Sequence, residues 1–478
     1  MANPNGFPEP EPDRYVIMFS QAFTPSAAVS TLSHGIGAQA ASEIAMVSSE
    51  ERVEAASLDP RSTARIALSF TGEKEGDGPT AVVTPLDPDQ LQGAREIAYT
   101  AVPGAVSIER EQLYTTVQDE AIQLEGMQAT YGADASFEPS LFPAGSDGDF
   151  IYGIRIPREY LTVVRELRGK VGRGKTLTAE VAPVAAAEYV ETTHTWGLQA
   201  TGAGTSPFDG RGINLAVLDT GFNFQHPDFQ EGIAPTAFAS FIAGESASDA
   251  HGHGTHTAGT AAGPRTRTTG PGYGVANRAQ LYIGKVLGNS GTGSTAQILE
   301  GIRWALQNGC QVINMSLARR VGLNETTHSA AYETVAQHAL QQGTLIVAAA
   351  GNFSSRPALT WPVCEPANSP SIMAVGATDE FDRTASFSCG GTSVTPAGAR
   401  VDIAGPGVRV YSSYKQPELY STINGTSMAA PHVAGIAALY AQVSPNFRGT
   451  ELWSQVARTA RRLALPPEDV GFGLVRAP

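Results

Sequence analysis

An aspartate, a histidine and a serine are the residues of this chain whose types and order best suit chemistry. Asp219, His253 and Ser427 occur in that order along 478 residues. A serine hydroxyl is a weak nucleophile until a base removes its proton and an acid holds that base. Ser427 precedes an apolar run over residues 428–443 that predicts a buried helix. At a helix N-terminus a serine is either an N-cap or a nucleophile, and the serine alone leaves both interpretations open.

His253 stands in a cluster with His251 and His256. The chain has 9 histidines, and these three lie within a stretch of six residues. Imidazole clusters are typical of metal sites. Here no helical histidine pair brackets a glutamate, and no cysteine or carboxylate spacing completes a ligand set. The sequence therefore predicts no metal, and the glycines around the cluster predict a ring that approaches other groups closely.

Asp219 directly follows an apolar strand predicted over residues 213–218. Taken alone, an aspartate before Thr-Gly is usually a turn residue. Further apolar strands alternate with predicted helices, with strands at 281–286, 312–315, 345–349 and 372–375, and helices at 254–262, 295–307 and 327–341. This alternation predicts an α/β domain whose mostly parallel sheet is covered on both faces. The functional site of such a sheet lies beyond the carboxyl ends of its strands, which is where Asp219 lies.

Four strings make the chain resemble the subtilisin-like serine proteases, the subtilases, over about residues 195–478. They are Leu-Asp-Thr-Gly at 218–221, His-Gly-Thr-His-Thr-Ala-Gly at 253–259, Ala-Ala-Ala-Gly-Asn at 348–352 and Gly-Thr-Ser-Met-Ala-Ala-Pro-His at 425–432. The order Asp, His, Ser is also that of the subtilisin triad. The resemblance implies a three-layer subtilisin-like fold and a serine endopeptidase that hydrolyses peptide bonds through an acyl-enzyme.

The resemblance also implies a role for each residue of the site. His253 takes the proton of Ser427, and Asp219 holds the imidazole of His253. The side chain of Asn352 and the backbone N–H of Ser427 are expected to stabilise the oxyanion. The other histidines of these strings are expected to be structural or loop residues: His251, His256 and His432.

A substrate cleft is implied along two further segments, where an extended peptide adds as an antiparallel strand. The residues expected to bind substrate are Asn314, Ser316, Leu317, Ala318, Gly288 and Gly351. The family usually has glycine where this chain has Ala318. We expect the added methyl group to narrow the first specificity pocket, and Arg319 and Arg320 to favour acidic residues nearby.

One matched position belongs to a calcium site of the family. Asp228 corresponds to a calcium ligand, but the partner loop over residues 263–272 carries Arg265 and Arg267. Arginines are poor neighbours for a divalent cation, which prefers oxygen ligands. We therefore predict neither a metal nor another cofactor.

Three domains are predicted. Residues 1–118 resemble the inhibitory propeptide of the family, as a small α+β domain with strands at 14–19, 81–84 and 106–109 and helices at 24–32 and 87–98. Residues 119–194 form an extension and linker without an assigned fold, and residues 195–478 form the catalytic domain. The chain is thus expected to be a self-inhibited precursor whose own N-terminal region is the inhibitor, cleaved between about residues 176 and 195. An accessory domain that is never removed is the alternative.

Composition limits the partners. The net charge of −14 argues against nucleic acid, and no run of about 18 apolar residues predicts a membrane span. A peptide or protein substrate remains. Because the printed N-terminus lacks the features of a secretory signal, we expect a cytoplasmic protein, with export by another route left open.

The three cysteines and two other functions complete the expectations. Cys310, Cys364 and Cys389 have no metal-type spacing, so we expect free thiols, with a bond between Cys364 and Cys389 left open. One alternative function is a catalytically silent subtilase-fold binding protein. The other is a transpeptidase or macrocyclase that uses the same acyl-enzyme.

Overall fold

The computed structural model describes residues 14–19, 44–46, 65–69, 80–85, 105–116, 150–151, 154–155, 189–229, 235–323, 325–391 and 400–478. Contacts divide the chain into two units, one of Met1–Ala121 with Glu188–Pro478 and one of Ile122–Ala187. The helices predicted at 24–32 and 87–98 lie outside the described residues. In the second unit the described residues form a hairpin of β7 (Phe150–Ile151) and β8 (Ile154–Arg155).

The N-terminal part of the first unit contains a five-stranded sheet, whose order is β2-β3-β4-β1-β5. Its strands are β1 (Arg14–Phe19), β2 (Ile44–Met46), β3 (Arg65–Ser69), β4 (Thr80–Pro85) and β5 (Ala105–Arg110). The central strand β1 pairs antiparallel with β4 and with β5. Val16, Ile17 and Met18 are all buried, which agrees with the apolar run that predicted β1. The predicted strands at 81–84 and 106–109 are likewise present within β4 and β5.

A seven-stranded parallel sheet forms the centre of the remaining part. Its order is β10-β11-β9-β13-β15-β16-β17. The strands are β9 (Asn214–Asp219), β10 (Ala237–Ser240), β11 (Gln280–Lys285), β13 (Val312–Met315), β15 (Leu345–Ala349), β16 (Met373–Thr378) and β17 (Ile403–Pro406). The inner strands β13 and β15 are buried at every residue, because helices cover both faces. The predicted α/β architecture is therefore confirmed.

Helices form the layers that cover the two faces of this sheet. They are α1 (Trp196–Thr201), α2 (His253–Ala262), α3 (Thr295–Gln307), α4 (Ala330–Gln341), α5 (Thr426–Val443), α6 (Gly449–Thr459) and α7 (Pro467–Val470), with short 3-10 turns at Ala203–Thr205 and Pro227–Phe229. Helices α2 and α5 pack against each other, and α5 packs along strands β13, β15, β16 and β17. Helix α5 is buried over most of its length, because its residues are apolar on all sides. Within the described part of the chain, no helix has the length and apolar character needed to cross a bilayer.

Two small sheets remain. Strands β18 (Val410–Ser413) and β19 (Tyr420–Ile423) form a hairpin. Strand β6 (Leu113–Thr116) lies between β12 (Thr292–Ser294) and β14 (Leu317–Ala318) and pairs antiparallel with both. A segment of the N-terminal region thus runs between β14, which belongs to one predicted cleft segment, and β12, which directly follows the other, residues 287–291.

Candidate active site

The three residues predicted to form a triad come from the ends of three elements. Asp219 ends β9, His253 begins α2, and Ser427 is the second residue of α5. The start of α2 approaches the end of β9 very closely. A Cβ on Gly254 would lie 2.3 Å from the carbonyl oxygen of Gly221, so only glycine fits there.

His253 and Asp219 form a buried pair. His253 Nδ1 lies 2.7 Å from Asp219 Oδ1, and the two side chains are 0% and 1% exposed. The aspartate also accepts hydrogen bonds from Thr220 N at 2.7 Å and from Thr257 Oγ1 at 3.2 Å. A carboxylate that only accepts favours the tautomer with the proton on Nδ1, which leaves the lone pair on Nε2.

Ser427 lies at the N-terminus of α5 with its hydroxyl directed at a neighbouring carbonyl. Its Oγ donates to Ser316 O at 3.1 Å. Among the described residues, His253 Nε2 has no hydrogen-bond partner. A base that must accept a proton needs such an unengaged lone pair, and catalytic hydrogen bonds commonly tighten only when substrate is bound.

The two predicted oxyanion donors border one small space. Asn352 Oδ1 accepts from Thr426 N at 2.9 Å and from Thr426 Oγ1 at 2.8 Å, which fixes the orientation of the amide. A Cβ on Gly425 would lie 3.0 Å from Asn352 Nδ2 and 3.5 Å from Ser427 N. Glycine, with φ of 153°, keeps that space open between the two donors.

The predicted cleft residues fall into two groups. Leu317 and Ala318 form β14 and pair with Thr116 and Thr115 of β6. The other four lie at or behind the rim of the cleft. Gly288 N donates to Thr292 O at 2.8 Å, and Gly351 N donates to Thr426 Oγ1 at 3.1 Å. Asn314 and Ser316 are fully buried, and Asn314 Nδ2 donates to Ser316 Oγ at 3.0 Å. Asn314 and Ser316 therefore support the site from within the protein.

The bond made by Ser316 has a cause in the sequence of α5. Pro431 has no N–H, so the carbonyl four residues earlier, that of Ser427, lacks its helical partner. Ser316 Oγ donates to this carbonyl at 2.8 Å. The side chain that replaces the missing helical bond thus anchors the residue carrying the predicted nucleophile.

The other histidines are placed as follows. His256 Nε2 contacts Val410 O at 3.0 Å, and burial followed by the charge of His253 lowers the pKa of His256 to about 3. His432 Nδ1 contacts Met428 O at 2.8 Å, and burial lowers the pKa of His432 to about 4. Both rings are neutral and enclosed by the fold. The ring of His251 lies 6.2 Å from that of His253.

Asp249 is a site residue that the sequence reasoning missed. Its Oδ1 accepts from Gly252 N at 2.8 Å and from Thr220 Oγ1 at 3.0 Å. Its Oδ2 accepts from Thr255 N at 2.9 Å and Thr255 Oγ1 at 2.7 Å. It therefore holds the first turn of α2 against the loop after β9. The available signal was an aspartate just ahead of a glycine-rich helix start.

Asp228 forms an ion pair with an arginine of the same chain. Arg267 Nε lies 3.1 Å from Asp228 Oδ2, and Tyr273 Oη donates to the same oxygen at 2.7 Å. The guanidinium also lies over the rings of Tyr273 and Tyr420, 5.3 and 4.5 Å from their centroids. The residues around Asp228 therefore do not fit calcium, because an arginine already pairs with this carboxylate. Among the described residues, no cluster of three or more His, Cys, Asp or Glu side chains could hold a metal ion.

The arginines after Ala318 are engaged within the protein. Arg319 Nη2 lies 2.7 Å from Glu365 Oε2 and 3.2 Å from Glu325 Oε1. Arg320 lies over the ring of Trp361, 3.8 Å from its centroid. Arg319 is already paired with two carboxylates, whereas Arg320 is exposed, so the preference for acidic substrate residues stays a prediction for Arg320 alone.

The cysteines are buried free thiols. The sulfur atoms of Cys364 and Cys389 lie 4.0 Å apart, about twice the length of a disulfide bond. A Cβ on Gly351 would come within 2.8 Å of the first sulfur and 3.0 Å of the second. The thiols thus pack directly against the segment that carries Asn352.

Comparison with known proteins identifies the class. The sequence model of the subtilase family matches residues 210–474. Subtilisin Savinase of Lederbergia lenta is 41% identical over 286 residues, 59% of this chain and 96% of that protein. M-protease of Shouchella clausii (strain KSM-K16) is also 41% identical, over 59% of this chain and 68% of its own length. Thermostable alkaline protease of Halalkalibacterium halodurans is 34% identical over 80% of this chain and 95% of that protein. The chain belongs to the subtilase family and is a serine endopeptidase that acts on peptide or protein substrates.

The expectation of a cytoplasmic protein is wrong. The subtilisins and alkaline proteases that match this chain are secreted extracellular enzymes. The expectation rested on the residues at the printed N-terminus, and those residues do not determine the compartment.

Proposed function

We propose that Asp219, His253 and Ser427 are the catalytic triad of this endopeptidase. Ser427 Oγ attacks the scissile carbonyl, His253 Nε2 takes the hydroxyl proton and later gives it to the leaving amine, and Asp219 stabilises the imidazolium. The observation that carries this assignment is the buried 2.7 Å contact between His253 Nδ1 and Asp219 Oδ1. The unengaged Nε2 lone pair of His253 also supports it.

In the same proposal, Asn352 Nδ2 and Ser427 N stabilise the oxyanion of the tetrahedral intermediate. The common space beside Gly425 supports this pairing. Leu317 and Ala318 bind extended substrate through their main chain. The remaining predicted substrate-binding residues shape or support the cleft: Gly288, Gly351, Asn314 and Ser316.

We further propose that residues 1–118 are an inhibitory region, residues 119–194 an extension and linker, and residues 195–478 the catalytic domain. The antiparallel pairing of β6 with β12 and β14 supports inhibition, since β6 occupies the path of an extended substrate. Residues 195–478 make up about 59% of the chain, which is the share that the match to the subtilisins covers. The match to the Halalkalibacterium halodurans protease covers 80% of the chain. That match therefore extends into the region before residue 195.

Two glutamates of the N-terminal region support the same proposal. Glu109 carboxylate oxygens accept from Ser329 Oγ and from Ala330 N, both at 2.5 Å, at the start of α4. Glu111 Oε1 accepts from Ala296 N at 3.1 Å, at the start of α3. Carboxylates are stabilising at helix N-termini because unpaired N–H groups and the positive end of the helix dipole lie there.

The register of β6 gives the expected point of self-cleavage. Thr116 pairs with Leu317, and Thr116 N donates to Gly291 O at 2.9 Å. One position further in this register, an extended substrate would lie opposite Ser316, whose carbonyl accepts the hydroxyl of Ser427. We therefore expect the first cleavage directly after this strand, rather than between residues 176 and 195. Mass analysis of the fragments that the purified chain produces will locate the bond.

Labelling with a fluorophosphonate probe tests the triad. We expect the self-processed wild type to be labelled and Ser427→Ala to remain both unlabelled and unprocessed. A wild type that stays unlabelled after an added protease has removed its N-terminal region would contradict the proposed nucleophile and favour the catalytically silent alternative. Product masses in the presence of an added amine separate hydrolysis from the transpeptidase alternative.

A further inference from the structure

One side chain of strand β6, that of Tyr114, lies in a closed pocket. Tyr114 is 0% exposed, whereas its neighbour Leu113 is 60% exposed. Successive side chains of a strand point to opposite faces, so Tyr114 points into the protein where Leu113 points to solvent. Of the β6 side chains, Tyr114 is therefore the large one that the cleft surrounds.

The pocket has one aromatic wall and one acidic wall. The ring of Tyr332, on α4, meets the ring of Tyr114 edge to face at 5.6 Å between centroids. The phenol of Tyr114 donates to Glu365 Oε1. Glu365 is only 4% exposed, and its other oxygen accepts from Arg319 Nη2 at 2.7 Å. Each carboxylate oxygen thus has one partner, and the partner of Oε1 comes from the N-terminal segment.

The acidic wall is held in place independently of Tyr114. The backbones of Arg319 and Glu365 bond to each other in both directions, at 2.8 and 3.2 Å. Glu325 lies 3.2 Å from the same guanidinium. A wall that is fixed by its own bonds is preorganised for a ligand, which strengthens binding.

The chemistry of the two walls distinguishes tyrosine from phenylalanine. Burial, followed by the charge of Glu365, raises the pKa of Tyr114 well above its usual value, so the phenol stays protonated and donates. A phenylalanine would fill the aromatic space but leave Glu365 Oε1 buried without a donor. Hydrogen bonds to charged groups are the strong ones, and an unpaired buried oxygen is costly.

We propose that the pocket formed by Glu365, Tyr332 and Arg319 is a specificity subsite that selects a tyrosyl side chain of the substrate. The inference rests on the proposed function, because it assumes that a substrate strand follows the path of β6. In that register the selected tyrosine lies three residues before the residue opposite Ser316. Glu365 is the selecting group, since it contacts the phenol.

Three matched peptides test the subsite on the self-processed protein obtained from the full-length chain. They differ only at this position, which holds tyrosine, phenylalanine or O-methyltyrosine, whose ether oxygen cannot donate. We expect kcat/KM for the tyrosine peptide to exceed the other two by about tenfold or more, since sites that bind a substrate hydroxyl reject analogues without a donor. In Glu365→Leu the ratio of tyrosine to phenylalanine is expected to fall to about one.

Glu325→Gln is the matched control, because Glu325 shares Arg319 with Glu365 but does not bond to the phenol. We expect this variant to keep the tyrosine preference. Equal kcat/KM values for all three peptides in the wild type, or an unchanged preference in Glu365→Leu, would overturn the inference. Fluorophosphonate titration of each sample separates this outcome from failure of the triad proposal, in which the wild type is not labelled. Ratios measured within one variant are independent of how much of it folds.

Discussion

Pro431 and Ser316 act together at the residue that carries the predicted nucleophile. The proline removes the helical donor of the Ser427 carbonyl, and the hydroxyl of Ser316 supplies another. Substitutions of Ser316 and Pro431 therefore form a double-mutant cycle, since each changes which donor bonds to the Ser427 carbonyl.

We expect Ser316→Ala to lower the free energy of unfolding by about 1–3 kcal/mol, because the buried carbonyl loses its donor. The rate kcat should fall as well, since the position of Ser427 is less fixed. Pro431→Ala restores a backbone N–H, so adding it to Ser316→Ala should recover part of both losses. Urea unfolding and kcat on one peptide are the measurements. A double variant whose losses are the full sum of the single ones would contradict the coupling.

The sequence predicted the identities of the candidate site residues, whereas it did not predict their hydrogen-bond partners. The strings around Asp219, His253 and Ser427 predicted the residues that the structure brings to the ends of neighbouring elements. Asp249 was missed although its position just ahead of a glycine-rich helix start was a local signal, whereas Glu365 was missed because its role depends on a side chain far away in the chain. Glu365 meets Tyr114 across 251 residues, and no local pattern encodes such a contact.

At the scale of elements, apolar runs predicted the strands because buried parallel strands have few polar positions. Strands β13 and β15 and helix α3 have the predicted bounds. Strand β6 was not predicted, since it exists through pairing with β12 and β14 rather than through its own pattern. The two residues of β14 are likewise too few to be recognised locally.

The helix contacts of the N-terminal region lead to a prediction about activation. Glu109→Ala or Glu111→Ala removes an acceptor at the start of α4 or α3, a loss of about 0.5–2 kcal/mol for a capping carboxylate. We expect each variant to shorten the lag before protease activity appears in the purified full-length chain. Leu113→Ala is the control, because that side chain is 60% exposed. An unchanged lag in both glutamate variants would contradict a role of these contacts in inhibition.

At the scale of the whole molecule, one carboxylate makes stability depend on pH. Burial raises the pKa of Asp402 to about 7, and its Oδ2 accepts from Ala374 N at 2.8 Å. The ordinary value for aspartate is about 3.9, so the folded protein binds this proton more tightly than the unfolded chain. The contribution of Asp402 to stability is therefore highest below pH ~4 and declines as the pH rises to about 7.

Asp402→Asn should remove this penalty while keeping an acceptor for Ala374 N. We expect the gain in Tm over the wild type to be larger at pH 9 than at pH 5, as measured by thermal unfolding with Ser427→Ala in both chains to prevent self-digestion. An equal gain at both pH values would show that ionisation of Asp402 does not cause the effect.

Calcium provides the second test at this scale. Because Arg267 already pairs with Asp228, we expect added calcium to shift the Tm of the wild type and of Asp228→Asn by the same amount. Arg267→Gln should lower Tm in the absence of calcium, since it leaves a partly buried carboxylate without its cation. A calcium response that disappears in Asp228→Asn would contradict this assignment.

Because Arg267 pairs with Asp228, the counter-ion of this carboxylate is a side chain of the same molecule and not an ion taken from solution. A bound ion exchanges with the medium, so its occupancy depends on dilution. A guanidinium attached to the same chain has a fixed effective concentration. At this site, closure is therefore unimolecular, and each molecule carries the required counter-ion wherever it is made or diluted.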